Sequence, residues 1–143
     1  ARIVCMRRHP LDSCLSNYKQ IFPFDDRYHD YVYDLASTAQ KFIQFNRVIE
    51  RWRTVLPADR FMLLQYEDLV ADQEKQTRAL VAFCGLPWDE RCLAFQENVA
   101  GVSTPSARQV RSGMHSAAVG RWAKYGSLLD PARKALEAAG VAL

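Results

Sequence analysis

The sequence predicts an α/β layer fold built on a parallel sheet. Two short apolar runs of strand length, residues 2–6 and 61–65, are each followed by helical patterning. The chain has 143 residues, 49% hydrophobic and 24% charged, enough for one domain with a proper core and too few for two comfortable ones. Only two strands are evident, and two parallel strands cannot close a core of this type. The chain also opens directly into the first of them. Both features predict a single partial domain over residues 1–143, with the remaining strands elsewhere in a longer parent.

Each element has a local reason. Ile3, Val4, Cys5 and Met6 read as a buried strand, and Arg7, Arg8 and His9 as the turn after it. Pro10 suits the first position of a helix that runs to about Gln20. Residues 24–33, aromatic and polar after Pro23, read as a loop. From Leu35, apolar residues recur at Ala39, Phe42, Phe45, Ile49, Trp52 and Leu56, one face of a long helix that Pro57 stops. After the second strand, Asp72 is positioned to cap a helix with the stripe Thr77, Leu80, Val81 and Cys84, and Gly85 to end it in a left-handed turn. Residues 88–97 suggest a further short helix, 98–115 a long loop, and 116–125 and 131–139 two closing helices.

Composition excludes several function classes. The longest apolar stretch, residues 80–88, is broken by Gly85 and Pro87, far short of the roughly 20 residues of a membrane span. Nineteen Lys and Arg against sixteen Asp and Glu give a net charge of +3, suited to an anionic small molecule without demanding nucleic acid. Cys5, Cys14, Cys84 and Cys92 form no C-x-x-C pair and have no histidine at ligand spacing, so no metal site is indicated. They read as buried free thiols of a cytoplasmic protein.

Ligands of open parallel sheets bind beyond the carboxyl ends of the strands. Arg8, Asp12 and Ser16 lie there at intervals of four, so that a guanidinium, a helix amino end and a hydroxyl converge as in a phosphate site. The same residues also fit a plainer arrangement, with Ser16 bonded back to the Asp12 carbonyl and Arg8 paired to a surface acid. Tyr66 ends the second strand, either at a ligand or packed in the core with a wet hydroxyl. Residues 103–115 carry Thr104, Ser106, Arg108, Gln109, Arg111, Ser112 and His115, either a binding loop or a solvated one. The residues alone therefore point to a surface for a phosphorylated ligand.

In combination these clusters resemble the C-terminal portion of sulfotransferases that use 3′-phosphoadenosine 5′-phosphosulfate. The closest likeness is to bacterial members fused to tetratricopeptide repeats, with a more remote one to tyrosylprotein sulfotransferases. Arg8-His9-Pro10-Leu11-Asp12 through Ser16 is similar to the family's 3′-phosphate signature, and Gln65-Tyr66-Glu67-Asp68-Leu69-Val70 to its strand-end motif. Cys84-Gly85-Leu86-Pro87-Trp88 matches the helix ending that follows. Val102-Ser103-Thr104-Pro105-Ser106, Gln109-Val110-Arg111, Gly120-Arg121-Trp122 and Tyr125 match the closing segment in order and spacing.

The resemblance implies a P-loop-NTPase-like parallel sheet with flanking helices, present here as its helix-rich C-terminal portion. It implies that Arg8, Ser16, Tyr66, Gln109 and Arg111 hold the nucleotide, that Ser106 and Arg121 are catalytic, and that no metal is needed. Its implied partners are the donor, a hydroxyl or amine acceptor and a second copy of the chain. The family's Pro-Arg-Ser-Gly phosphate loop and its general base are absent from the sequence. A non-catalytic nucleotide-binding module of the same fold is therefore the alternative to a transferase, and a purely structural helical domain would leave Arg8, Ser16 and Tyr66 far apart.

Overall fold

A computed structural model describes residues 1–20, 22, 27–98 and 111–143. Strand β1 (Ile3–Arg7) pairs in parallel with β2 (Phe61–Gln65), Ile3 opposite Phe61 and Arg7 opposite Gln65. The crossover between them runs through helices α1 (Pro10–Tyr18) and α2 (Leu35–Val55). Helices α3 (Tyr66–Ala71) and α4 (Gln73–Cys84) follow β2, and α5 (Asp130–Ala138) lies near the end of the chain. The result is a helix-rich α/β arrangement on a small parallel sheet. On β1, Val4 and Met6 are 39% and 48% exposed.

The core sits between α1, α2 and α5 rather than over the sheet. Leu11 and Cys14 of α1 meet Ala39, Phe42 and Ile43 of α2 and Ala132 and Leu136 of α5. Leu11 and Leu136 are fully buried, each contributing about 1.5–3 kcal/mol by removal from water. Asp34 caps α2 by accepting the Ser37 N–H at 2.7 Å. At the far end Leu56, restricted to extended backbone by Pro57, closes the helix. Asp72 caps α4 through the Lys75 N–H, and Gly85, at φ 73°, ends it while the Leu86 N–H reaches the Val81 carbonyl.

Several expectations change. The buried face of α2 takes Thr38 and Ile43, whereas Phe45 and Trp52 are 41% and 37% exposed. Of the α4 stripe, only Val81 is buried, because that helix packs mainly on α3. All four cysteines are free, but only Cys14 is buried; Cys84 is exposed. Within the expected loop 24–33, residues 27–33 form a 3₁₀ helix (Arg27–Tyr33), which packs on α2. The helix expected over 88–97 is instead two 3₁₀ turns, Glu90–Cys92 and Phe95–Glu97. The one expected over 116–125 is a turn at Ser116–Ala118 and a 3₁₀ segment, Arg121–Leu129, which Gly120 and Gly126 break with positive φ. Most of the loop 98–115 lies outside the described residues.

Candidate functional site

The end of β1 presents two arginines in succession, and strand alternation gives them different surroundings. Arg7 is tied to α2: its Nη1 donates to Asn46 Oδ1 at 3.3 Å and to Glu50 Oε1 at 3.1 Å. The Gln65 side-chain amide lies within hydrogen-bond distance of the same guanidinium. Arg8 is held by other elements. Its Nη2 donates to the Ala118 carbonyl and lies 3.7 Å from Asp12 Oδ2, and its guanidinium carbon stands 5.1 Å above the centre of the Tyr66 ring. Among the described residues, Arg8 Nε is buried without a partner. A buried N–H of this kind costs free energy until something accepts from it.

Arg8 opens onto a cleft of about 820 Å³ that α1, the start of α3 and the segment before Arg121–Leu129 enclose. Ser16, Lys19, Tyr66, Ser112, His115 and Arg121 line it, and Met6, Leu15, Leu69, Phe95 and Met114 give it an apolar wall. Ser16 is exposed, and its hydroxyl is not bonded back to the Asp12 carbonyl. Among the described residues, Arg8, Lys19 and Arg121 face a single carboxylate, Asp12, so the cleft favours an anion. Lys19 Nζ donates to Tyr125 Oη at 2.9 Å, and that bond, with the charges of Lys19 and Arg121 nearby, lowers the phenol's pKa from its usual value.

Asp12 has a different part from the one its spacing implied. Its side chain is fully buried, and it accepts the Gly120 N–H on Oδ2 and the Trp122 N–H on Oδ1, each at 2.8 Å. Nearby in the turn, the His9 ring stacks on Trp122 with centroids 5.2 Å apart, while the His9 backbone N–H donates to Glu67 Oε1. The turn after β1 therefore grips both the start of α3 and the closing segment.

The structure thus brings Arg8, Ser16, Tyr66 and Arg121 to one cleft, not far apart as a purely structural helical domain would leave them. Arg111 does not line it; its Nη1 donates to the Asn98 carbonyl at 3.2 Å. Ser106 and Gln109 lie outside the described residues.

A family model described as "Sulfotransferase family" matches residues 1–90, a span that takes in β1 through α4 and with them Arg8, Ser16 and Tyr66. The chain belongs to the sulfotransferase family. An uncharacterized protein of Aquifex aeolicus (strain VF5) is 29% identical over 137 residues, covering 96% of this sulfotransferase chain and 18% of its own length. Protein-tyrosine sulfotransferase 1 of Danio rerio is 31% identical over 99 residues, 63% of this chain and 28% of its own. The chain therefore spans about a fifth to just over a quarter of these curated relatives.

Sequence reasoning missed three features of this cleft. Lys19 was legible, since it follows Ser16 by three and shares the helix face of Asp12 and Ser16. Phe95 carried no signal, because its place in the wall depends on how the 3₁₀ turns after α4 fold back. The tether from Asp12 to Gly120 and Trp122 joins residues more than a hundred positions apart, and no local pattern encodes it.

Proposed function

We propose that the chain is the nucleotide-holding portion of a sulfotransferase that moves a sulfuryl group from 3′-phosphoadenosine 5′-phosphosulfate to a hydroxyl or amine acceptor. One observation carries this reading: Arg8, its Nε buried and unpartnered, sits over Tyr66 in a cationic cleft shared with Ser16. A phosphate is the acceptor that Arg8 lacks, and the Ser16 hydroxyl supplies a second donor on the same wall. The apolar wall suits a purine base. Arg8 and Ser16 would anchor the 3′-phosphate, with Tyr66 against the nucleotide, and that remote binding energy would orient the 5′ end.

In the transfer, the bond from sulfur to the 5′-phosphate oxygen breaks as sulfur bonds to the acceptor. The acceptor's proton passes to a base elsewhere in the parent, and 3′-phosphoadenosine 5′-phosphate leaves. Charge grows on that phosphate, and Arg121 is assigned to meet it, with Ser106. Ser106, Gln109 and Arg111 enter the proposal through the family resemblance alone. The scheme calls on no metal. A cytoplasmic setting, a homodimer and tetratricopeptide repeats in the parent belong to the same proposal, the first supported by the four free cysteines.

Calorimetric titration of the chain with adenosine 3′,5′-bisphosphate and with adenosine 5′-monophosphate tests the site. The bisphosphate should bind at least about tenfold more tightly, the value of one charge-assisted hydrogen bond. Equal affinities, or no binding of either, would refute it. Turnover by the complete parent with the sulfated donor separates a transferase from a non-catalytic binder.

A further inference from the structure

We propose that Asp12 is a positioning residue that fixes Arg121 in the cleft by holding the backbone on both sides of it. The inference rests on the reading of Arg121 given above. Gly120, Arg121 and Trp122 are consecutive, and the N–H groups of the outer two converge on the two oxygens of one carboxylate, 2.8 Å from each. Gly120 adopts φ 64°, left-handed backbone that glycine reaches without strain. Arg121 lies between two pinned amides, its side chain has Tyr125 as a hydrogen-bond partner, and the residue lines the cleft.

The tether is strong for a physical reason. A buried carboxylate is costly unless its lone pairs are occupied, and two backbone N–H donors occupy them with charge-assisted bonds. Arg8, 3.7 Å away, is not close enough to take their place. The Trp122 ring reinforces the hold, since it contacts both the His9 ring and the Arg133 guanidinium, the latter 5.3 Å from its centre. Asp12 is thus a neighbour of the 3′-phosphate arginine that serves the 5′ end of the nucleotide.

The sign of the effect separates this role from simple electrostatics. Neutralising a carboxylate beside a cleft for anions should tighten anion binding on Coulombic grounds alone. Positioning predicts the reverse. In the Asp12→Asn variant the side-chain amide can accept only one of the two N–H groups, and it turns its own donors on the other.

The test is calorimetry on wild type, Asp12→Asn, Arg121→Ala and the double variant, with adenosine 3′,5′-bisphosphate and adenosine 3′-monophosphate as ligands. Asp12→Asn should weaken the bisphosphate by about tenfold or more, shift the 3′-monophosphate by less than about threefold, and add almost nothing once Arg121 is alanine. Tighter or unchanged bisphosphate binding, equal losses on both ligands, or additive losses in the double variant would overturn the inference while leaving the nucleotide site intact. Wild type that binds neither ligand would overturn the reading of the cleft, and this inference with it. Should Asp12→Asn not fold, amide hydrogen exchange on wild type decides. Slow exchange at Gly120 and Trp122, joined to a loss specific to the 5′-phosphate in Arg121→Ala, supports the tether; exchange there as fast as in an unprotected loop overturns it.

Discussion

Replacing Arg8 by alanine should separate binding from stability. In the free protein the Arg8 guanidinium donates a charge-assisted bond to the Ala118 carbonyl, worth about 1.5–3 kcal/mol, and rests on the Tyr66 face, worth about 0.5–1 kcal/mol. Against these stands the buried, unpartnered Nε, whose lost hydration costs about 1–3 kcal/mol. Asp12 keeps both of its backbone donors in the variant, so no bare carboxylate is left behind. The opposing contributions cancel in part, and Arg8→Ala should lower folding stability by about 1 kcal/mol. Binding of adenosine 3′,5′-bisphosphate should fall by about 1.5–3 kcal/mol, roughly 10- to 150-fold, because the bond to phosphate is made only in the complex. Adenosine 5′-monophosphate should be nearly indifferent. Denaturant unfolding and calorimetry on the same samples measure both quantities. Equal losses for the two nucleotides, or a variant that is largely unfolded, would show that Arg8 serves the fold and not the phosphate.

Other outcomes follow from the same geometry. Leu136→Ala, at the centre of the α1–α2–α5 core, should cost about 2–5 kcal/mol in denaturant unfolding, the range for a buried leucine cut to alanine. The Ser37 N–H lowers the pKa of Asp34, so its contribution is present above the unfolded-state value and lost as pH falls through the folded one; the stability deficit of Asp34→Ala should be clear at neutral pH and close in strong acid. Burial pushes the Cys14 thiol up to about 12, so at pH 8 iodoacetamide should modify exposed Cys84 well before Cys14, as peptide mass mapping would show. In the complete parent, Ser106→Ala should lower kcat by roughly 10²–10³-fold with donor affinity little changed, as for loss of one oxyanion donor, and a normal kcat would remove Ser106 from the chemistry.

What could be read from the sequence was what short-range physics determines. Pro10, Pro57, Asp72 and Gly85 act within a turn of their own positions, and each bounds the element it was expected to bound. The strand Phe61–Gln65 was evident because an apolar run of that length followed by Tyr-Glu-Asp has few other readings. The face of α2 was only half legible: periodicity marks Phe45 and Trp52 as well as Phe42 and Ile49, but which apolar residues are covered depends on where α1 and α5 dock. The helix expected over 116–125 fails for a related reason. Its composition suits an α-helix, yet it is organised by a carboxylate on α1 and by positive φ at Gly120 and Gly126. Of the residues that line the cleft, Arg8, Ser16 and Tyr66 stand out in the sequence because they follow strands or recur along one helix, whereas the partners of Asp12 are visible only in three dimensions.

The register of the two strands carries a consequence for how such a protein can err. Arg7 pairs opposite Gln65, and that alignment decides which of two adjacent, chemically identical side chains is bound to α2 and which overhangs the cleft. A slip of one residue would exchange them, since neighbouring side chains on a strand point to opposite faces. The slipped chain would have the same composition, the same net charge and nearly the same backbone pairing. Arg7 would then overhang the cleft and Arg8 would be carried to Asn46 and Glu50, so the cleft would keep a guanidinium while every side chain of the strand changed faces. Pairing along five residues therefore decides which side chains of β1 are covered. The slip would turn Val4 and Met6, now 39% and 48% exposed, inward and send Ile3 and Cys5 outward, an error that packing would register and net charge would not.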